Sequence, residues 1–274
     1  MKNREIAVIG ATGKTGSRVL TLLENMGVSA RPLGRNTDMP FDWQDRSNWE
    51  QALNGVDSAY VTYFPDLAVP QAEEDISALM EVAKKVGLKH VVLLSGRGEE
   101  GAQRAEQVVI NSGLEWNIVR ASWFMQNFSE SFMLEGILAG NLVLPHPKAT
   151  EPFIDVDDIS EVVVKALVTR DFRNELLEVT GPELLSFSDC VQSIAQAADR
   201  AIEFSKLPLD VYLDAARQQG LPDDIAWLMG ELFGQVLDGR NEQTTRTVER
   251  VLGRPARCFE DYVAANVQTG VWSA

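Results

Sequence analysis

The chain has 274 residues, of which 45% are hydrophobic and 24% charged, a composition typical of a globular protein with a sizeable core. Its formal net charge of −15 argues against a nucleic-acid backbone or an anionic membrane as partner. Cys190 and Cys258 match neither a disulfide framework nor a metal-ligand spacing, so we expect two buried thiols and no metal. The N-terminus runs into an apolar strand without room for a signal peptide, and no apolar stretch reaches the roughly 20 residues of a membrane span. These features predict a cytoplasmic protein.

A glycine-rich turn follows the first predicted strand, the apolar segment 6–9. At the end of a strand and the start of a helix, backbone N–H groups and the positive end of the helix dipole can bind a phosphate. Glycines there let the backbone approach a pyrophosphate, although they also serve helix–strand packing without a ligand. The glycines are Gly10, Gly13 and Gly16, and the helical face after them carries Val19, Leu22, Leu23 and Met26.

Strand and helix patterns then alternate through the first half of the chain. This alternation predicts an α/β fold, a Rossmann-type doubly wound parallel sheet. The predicted strands are 28–34, 57–63, 90–95 and 115–121, and the predicted helices are 71–86 and 102–112.

The second half is mainly helical. Two strands are predicted at 141–145 and 176–182, with a helix between them that Asp157 or Asp158 would cap. We predict a Rossmann domain over residues 1–150 and a smaller, mostly helical C-terminal substrate lobe over residues 151–274, with strands returning to the main sheet. Ligands of open α/β sheets bind at the carboxyl ends of the strands, so this lobe would form the substrate cleft there. Four helices are predicted from Ser186 onward, over 187–200, 208–220, 222–237 and 244–252.

Arg35 follows the second strand, where an enzyme that prefers NAD usually has an acidic residue for the ribose hydroxyls. A guanidinium pairs with a 2′-phosphate, so Arg35 favours NADP, and Lys14 could add to this preference. Asp38 lies nearby and keeps NAD open, and Arg35 could also be a solvated loop residue.

The segment FDWQDRSNW, residues 41–49, supplies two further candidates. Asp42 could accept a hydrogen bond from the amino group of adenine, and Trp43 could form a flat apolar wall. Alternatively, Asp42 caps the helix that contains Trp49 and Leu53.

Together with IGATGKTG (9–16), this segment and GLEWNIVRASWFMQNFSE (113–130) followed by PFIDVDDIS (152–160) resemble the NmrA-like group of atypical short-chain dehydrogenase/reductases. The nearest likeness is the branch with the ergot-alkaloid reductases of the festuclavine and agroclavine type and their bacterial relatives. The resemblance covers nearly the whole chain. It implies a pyrophosphate at Gly10, Thr12, Gly13, Lys14, Thr15 and Gly16, a 2′-phosphate at Arg35, adenine at Asp42 and Trp43, ribose at Tyr63 and Phe64, nicotinamide at Ser95 and Gly96, and substrate at Trp123, Phe124 and Asn127.

The chain departs from the dyad Tyr-x-x-x-Lys, in which lysine lowers the pKa of the tyrosine that protonates an alkoxide. The residues four positions after the four tyrosines are Phe64, Leu67, Ala216 and Asn266. Some relatives place Lys or His early in the helix after the fourth strand, where this chain has Ala102, followed by Gln103 and Arg104. His90 is expected to be structural, whereas His146 could reach the mouth of a cleft. The remaining catalytic candidates are Tyr63, Ser95 and Trp123.

Hydride addition to an iminium ion discharges a cation and needs no proton donor, so proximity and orientation suffice. We therefore predict an NAD(P)H-dependent oxidoreductase that acts on an iminium or imine, an enone or a quinone, with NADPH preferred and NAD open. The alternatives are an NADP(H)-sensing regulator without catalysis and an NAD(P)-bound enzyme of another type, such as an isomerase. The partner is a small-molecule substrate, and the apolar helix at 227–237 could be a lid or the interface of a homodimer.

Overall fold

A computed structural model of the protein describes residues 5–145 and 149–273 and divides the chain into two compact units that interleave along the sequence. The boundary at residue 150 between two domains stays a prediction. The first unit comprises the chain up to Ala121, Asp157–Val179 and Arg250–Gly253, and the second comprises Ser122–Val156, Thr180–Glu249 and the chain from Arg254 onward.

Nine strands lie within the described residues. They are β1 (Glu5–Ile9), β2 (Ser29–Gly34), β3 (Met39–Pro40), β4 (Ser58–Val61), β5 (His90–Gly96), β6 (Glu115–Ala121), β7 (Asn141–Pro145), β8 (Glu175–Val179) and β9 (Glu203–Leu207).

The first unit is built on a seven-stranded parallel sheet in the order β3-β2-β1-β4-β5-β6-β8. The strand order reverses between β1 and β4, which makes this point the switch point where open α/β sheets bind ligands. The predicted doubly wound Rossmann-type fold is thereby confirmed. Of the two later strands predicted, β8 joins this sheet, whereas β7 pairs with β9 in a separate two-stranded sheet of the second unit.

Eleven α-helices are found in the same ranges. They are α1 (Lys14–Asn25), α2 (Trp49–Leu53), α3 (Ala72–Val86), α4 (Glu100–Ile110), α5 (Met133–Leu138), α6 (Val156–Val168), α7 (Phe187–Ala197), α8 (Leu209–Gln218), α9 (Asp223–Glu231), α10 (Thr247–Leu252) and α11 (Phe259–Val267). Among the described residues, no helix has the length and apolar character needed to cross a membrane.

Two helix predictions are corrected by the structure. α6 begins at Val156, so Asp157 and Asp158 lie in its first turn and neither is the N-cap residue. On α1, Val19 and Leu23 are fully buried as expected, but Met26 is 56% exposed because the helix ends one residue before it.

The second unit has an aromatic core. Phe128, Phe153, Phe187 and Phe259 are buried and pack edge-on or tilted against one another, at centroid distances of 5.1 to 6.3 Å. The helix predicted at 222–237 is an α-helix only as far as Glu231, and a π-helical segment follows over Leu232–Val236.

The two thiols differ from one another. Cys190 is buried, as predicted, but the prediction is wrong for Cys258, which is only half-buried. Cys258 is the N-cap residue of α11, and its Sγ accepts a hydrogen bond from the Asp261 amide at 3.4 Å.

Candidate functional site

The turn between β1 and α1 can be formed only with glycine at two of its positions. Gly10 has a φ of +78°, and a Cβ on it would lie 2.0 Å from Oγ1 of Thr62. A Cβ on Gly16 would lie 2.1 Å from the carbonyl oxygen of Gly10, so α1 packs directly on the end of β1. Gly13 closes the turn, because its N–H donates to Gly10 O at 2.9 Å. The close approach of helix and strand is the geometry of a phosphate-binding turn.

The first turn of α1 suits an anion. Gly13 is the N-cap residue and makes no side-chain cap, and no acidic residue lies in the first turn. The positive end of the helix dipole is therefore not neutralised from within this segment. Thr12 is exposed, whereas the Thr15 side chain is buried and its Oγ1 accepts a hydrogen bond from Tyr60 Oη at 2.9 Å. Thr15 would thus contact a phosphate through its backbone amide alone.

Arg35 lies at the carboxyl end of β2, with its guanidinium over the ring of Phe64 at 5.1 Å from the centroid. Both side chains are exposed, and 64% of Phe64 is accessible. This contact positions the guanidinium, and an exposed guanidinium can donate N–H groups to a phosphate.

Asp42 does not cap a helix, so that alternative is wrong. Its Oδ1 accepts a hydrogen bond from the Gln44 amide at 3.1 Å, and the residue that caps the 3-10 turn Arg46–Asn48 before α2 is Asp45. The adenine role of Asp42 stays a prediction.

Trp43 is a rigid, half-buried wall. Its Nε1 donates to the carbonyl of Thr62 at 3.2 Å, and its ring lies 4.6 Å from that of Tyr63. Phe41 and Trp49, both buried, complete this aromatic cluster, whose residues follow β3 and β4 in the chain.

The hydroxyl of Tyr63 is already engaged in the first unit. It donates to Oδ2 of Asp75 at 2.6 Å, and Oδ1 of Asp75 accepts from Arg46 at 2.6 Å. Burial and the Asp75 carboxylate raise the pKa of Tyr63 above its ordinary value. A phenol with a raised pKa that donates to a carboxylate is a poor proton donor to a substrate.

Ser95 is engaged in the same way. Its Oγ donates to Oε1 of Glu106 at 2.6 Å, and the fully buried Glu106 is held by Arg120, whose Nε lies 2.9 Å from the same oxygen. This buried network ties β5, α4 and β6 together, which gives Ser95 a structural role at the border of the predicted nicotinamide position.

Sequence reasoning missed a pair of carboxyl groups beside Gly96. Asp66 follows β4, and Glu99 is the N-cap residue of α4. A Cβ on Gly96 would lie 2.1 Å from Oε1 of Glu99, so the carboxyl group fills the space above this glycine. The signal in the sequence was a carboxyl residue shortly after each of two adjacent strands, whose carboxyl ends share one edge of the sheet.

The predicted substrate residues lie in the second unit. Trp123 packs edge-on against Phe187 at 5.4 Å and Phe233 at 5.3 Å. Phe124 and Asn127 are partly exposed, and neither forms a ring contact or a side-chain hydrogen bond within the described ranges. Their roles toward a substrate stay predictions, as does a catalytic role for Trp123.

The other positions considered for a proton donor, Ala102, Arg104 and His90, supply none in the described structure. Ala102 is buried, and Arg104 is exposed and pairs with Glu73 at 3.2 Å. His90 is buried, and its Nε2 lies 3.0 Å from Asn117 Oδ1, as expected of a structural histidine. His146 lies outside the described residues. No group of acidic, histidine or cysteine residues that could hold a metal ion occurs within those ranges.

The chain belongs to the NmrA-like family, whose model matches residues 2–257. Among curated proteins it is 28% identical to Prestalk A differentiation protein A of Dictyostelium discoideum, over 94% of this chain and 90% of that protein. It is 28% identical to an NAD(P)H azoreductase of Xenophilus azovorans (95% and 97% covered) and 26% identical to agroclavine dehydrogenase of Claviceps fusiformis (97% and 98% covered). The resemblance drawn from the motifs is confirmed.

Two solved structures illustrate the range of this fold. The NADPH-dependent quinone oxidoreductase of Escherichia coli, complexed with NADPH, matches with a TM-score of 0.80 at 17% identity, over 95% of this chain and 99% of that one. The negative transcriptional regulator NmrA, in complex with NADP, matches with a TM-score of 0.69 at 15% identity, over 98% of this chain and 97% of that one.

Proposed function

We propose that this protein is an NADPH-dependent reductase that transfers hydride to a small organic acceptor, an iminium or imine, an enone or a quinone, without a Tyr-x-x-x-Lys dyad. NAD(P)H-dependent oxidoreductase is the class of this chain, and its relatives include an NAD(P)H azoreductase and agroclavine dehydrogenase. The acceptor and the preference for NADPH over NADH are the finer parts of the proposal.

The observation that carries the proposal is the fit of the first unit to a dinucleotide phosphate. The turn admits no Cβ at Gly10 or Gly16, and the first turn of α1 carries no acidic residue. At the end of the neighbouring strand, Arg35 presents a stacked, exposed guanidinium. These groups would hold the pyrophosphate and the 2′-phosphate, with Trp43 as the wall beside the adenine. When bound, reduced nicotinamide supplies hydride.

Because the chain lacks the dyad, we favour acceptors that can be reduced without a strong proton donor. Tyr63 and Ser95 each donate a hydrogen bond to a carboxylate of the protein, so neither hydroxyl is poised to protonate an alkoxide. Reduction of an iminium ion or a conjugated carbonyl makes no strongly basic alkoxide. Such an acceptor therefore depends less on a proton donor in the site.

The second candidate function is an NADP(H) sensor that reports redox state to a partner. The engaged hydroxyls of Tyr63 and Ser95 favour it, because nucleotide binding requires neither of them. A sensor predicts NADPH binding without turnover.

The test is a fluorescence titration with NADPH and NADH, followed by a panel of iminium, enone and quinone acceptors while the nicotinamide absorbance is recorded. Tight NADPH binding with acceptor-dependent oxidation is the expected result. Binding without turnover across the panel would support the sensor, and a protein that binds neither nucleotide would contradict both functions.

A further inference from the structure

The carboxyl pair of Asp66 and Glu99 is fixed by close backbone packing in the first unit. The Glu99 carboxyl lies against Gly96, with Oε1 and Oε2 at 2.1 and 2.2 Å from the position that a Cβ there would take. The loop after β4 packs equally closely on α4, since a Cβ on Gly101 would lie 2.1 Å from the carbonyl oxygen of Ala68. The pair therefore lies where the carboxyl ends of β4 and β5 adjoin, beside a residue predicted to border the nicotinamide.

The Asp66 and Glu99 carboxyl groups influence each other's pKa. Burial raises the pKa of both, and the neighbouring Asp66 and Glu106 carboxylates raise the pKa of Glu99 further. Their interaction lowers the pKa of Asp66 and raises that of Glu99, which favours the proton on Glu99. Asp66 also accepts a hydrogen bond from the Ala68 amide at 2.8 Å, which stabilises its charged form.

Two features distinguish Glu99 from the hydroxyl groups of the same edge. Its Oε2 is buried and has no hydrogen-bond partner in the described structure. Such a polar atom costs free energy unless a ligand or water meets it. A raised pKa also brings a carboxyl group closer to the range in which general acids work at neutral pH. The raised pKa of a phenol such as Tyr63 takes it further from that range.

We propose that Glu99, held by Asp66, is the proton donor of this reductase, and that its acceptor is a conjugated carbonyl compound, a quinone or an enone. The inference rests on the proposed function and deepens it, because it names an acid in place of the tyrosine that the dyad would supply. The acceptors also differ in their need for this proton: a quinone or enone takes up a proton with the hydride, whereas an iminium ion does not.

The reaction balances with these groups alone. The acceptor gains two electrons and one hydrogen as hydride from NADPH, and its oxygen (or the carbon α to the carbonyl) gains the second hydrogen from the Glu99 carboxyl. The O–H bond of Glu99 breaks, which leaves NADP⁺, the reduced acceptor and two adjacent carboxylates. Their mutual repulsion then draws a proton from water back to Glu99.

The test compares Glu99→Gln with Glu100→Gln, a matched change at the next residue, which is exposed in the first turn of α4. The infrared spectrum of each protein without nucleotide at neutral pH reports the carbonyl band of a buried protonated carboxyl group. We expect this band in the wild type and in Glu100→Gln and its loss in Glu99→Gln. If no such band is present in the wild type, the proton on Glu99 is contradicted.

The second measurement is turnover with a quinone and with a preformed iminium acceptor. In Glu99→Gln, we expect kcat with the quinone to fall by about 10²- to 10⁴-fold, the usual contribution of a general acid. The iminium rate and the Kd for NADPH should change less than about threefold, since neither requires this proton. Asp66→Asn, which leaves the Glu99 proton without its carboxylate partner, should also slow the quinone reaction selectively.

The outcomes separate this inference from the proposed function. Equal losses with both acceptors, or unchanged quinone turnover in Glu99→Gln, would overturn Glu99 as proton donor while leaving the reductase intact. Wild-type protein that reduces the iminium but no quinone or enone would do the same. Wild-type protein that oxidises NADPH with no acceptor at all would overturn the reductase, and the proton donor with it.

Discussion

At the residue scale, we propose that Arg35 sets the preference between the two nicotinamide nucleotides. Its guanidinium is exposed, stacked on Phe64 and placed at the end of β2. Replacement by Ser removes charge-assisted hydrogen bonds worth about 1.5–3 kcal/mol. We expect Arg35→Ser to raise the Kd for NADPH by roughly 10- to 100-fold and to leave the Kd for NADH nearly unchanged.

The matched control is Lys84→Ala, which removes an equally exposed cation on α3 that pairs with Glu81. Fluorescence titration of both variants with both nucleotides separates a local contact from the general effect of charge. An equal loss of NADPH and NADH affinity in Arg35→Ser would show that Arg35 does not bind the 2′-phosphate.

His90 makes the stability of the first unit sensitive to acid. Burial and the nearby Arg173 cation lower the pKa of His90 to about 3, whereas an unfolded histidine titrates near 6.5. Below about pH 6.5 the unfolded state binds a proton that the native state does not bind, so stability falls as the pH falls toward 3. At pH 5 this linkage costs about 2 kcal/mol relative to pH 7.5.

His90→Gln should flatten this dependence, because glutamine does not titrate. The measurement is urea unfolding at pH 7.5 and pH 5 for the wild type and the variant. An acid-induced loss of stability that is as large in the variant as in the wild type would assign the effect to other groups.

At the element scale, the close contact between α1 and β1 is the condition for the phosphate-binding turn. Gly16→Ala places a Cβ 2.1 Å from the Gly10 carbonyl oxygen, so the helix must move away from the strand. We expect NADPH affinity to fall at least tenfold and the free energy of unfolding to fall by about 1–3 kcal/mol. Gly230→Ala is the control, because that glycine also lies in a helix and its nearest neighbour would be 3.8 Å from the new Cβ.

The control change should be neutral or stabilising by about 0.4–1 kcal/mol, as for other helical glycines without a steric conflict. Nucleotide titration and thermal unfolding of both variants make the comparison. Full NADPH affinity in Gly16→Ala would contradict the view that helix–strand contact shapes the site.

Six strands of the main sheet could be predicted, most of them because they carry a run of apolar residues bounded by turn residues. β3 could not, since it has only two residues. β9 was missed because its sequence EFSKL has no buried residue and therefore no apolar alternation. The π-helical segment at Leu232–Val236 was also missed, because its apolar residues continue the pattern of α9.

At the scale of the whole molecule, the parts of the site that could be predicted are those encoded by local sequence. The glycine turn and Arg35 each follow a recognisable strand, and Trp43 lies in the recognisable segment FDWQDRSNW. The partners of Tyr63 and Ser95 could not be predicted, because Asp75 and Glu106 lie on helices whose rotation the sequence does not fix. The carboxyl pair was missed because its two members become neighbours only when β4 and β5 are side by side.

Central to the proposed function is hydride transfer from bound NADPH to an organic acceptor without a tyrosine–lysine dyad. It is tested most directly with NADPH deuterated at C4 of the nicotinamide, one stereoisomer at a time, in separate incubations with an enone and an iminium acceptor. We predict that one of the two stereoisomers transfers its deuterium, as deuteride, to a carbon atom of each product, as mass spectrometry would show. Products without deuterium from both stereoisomers, or no product at all, would contradict the account.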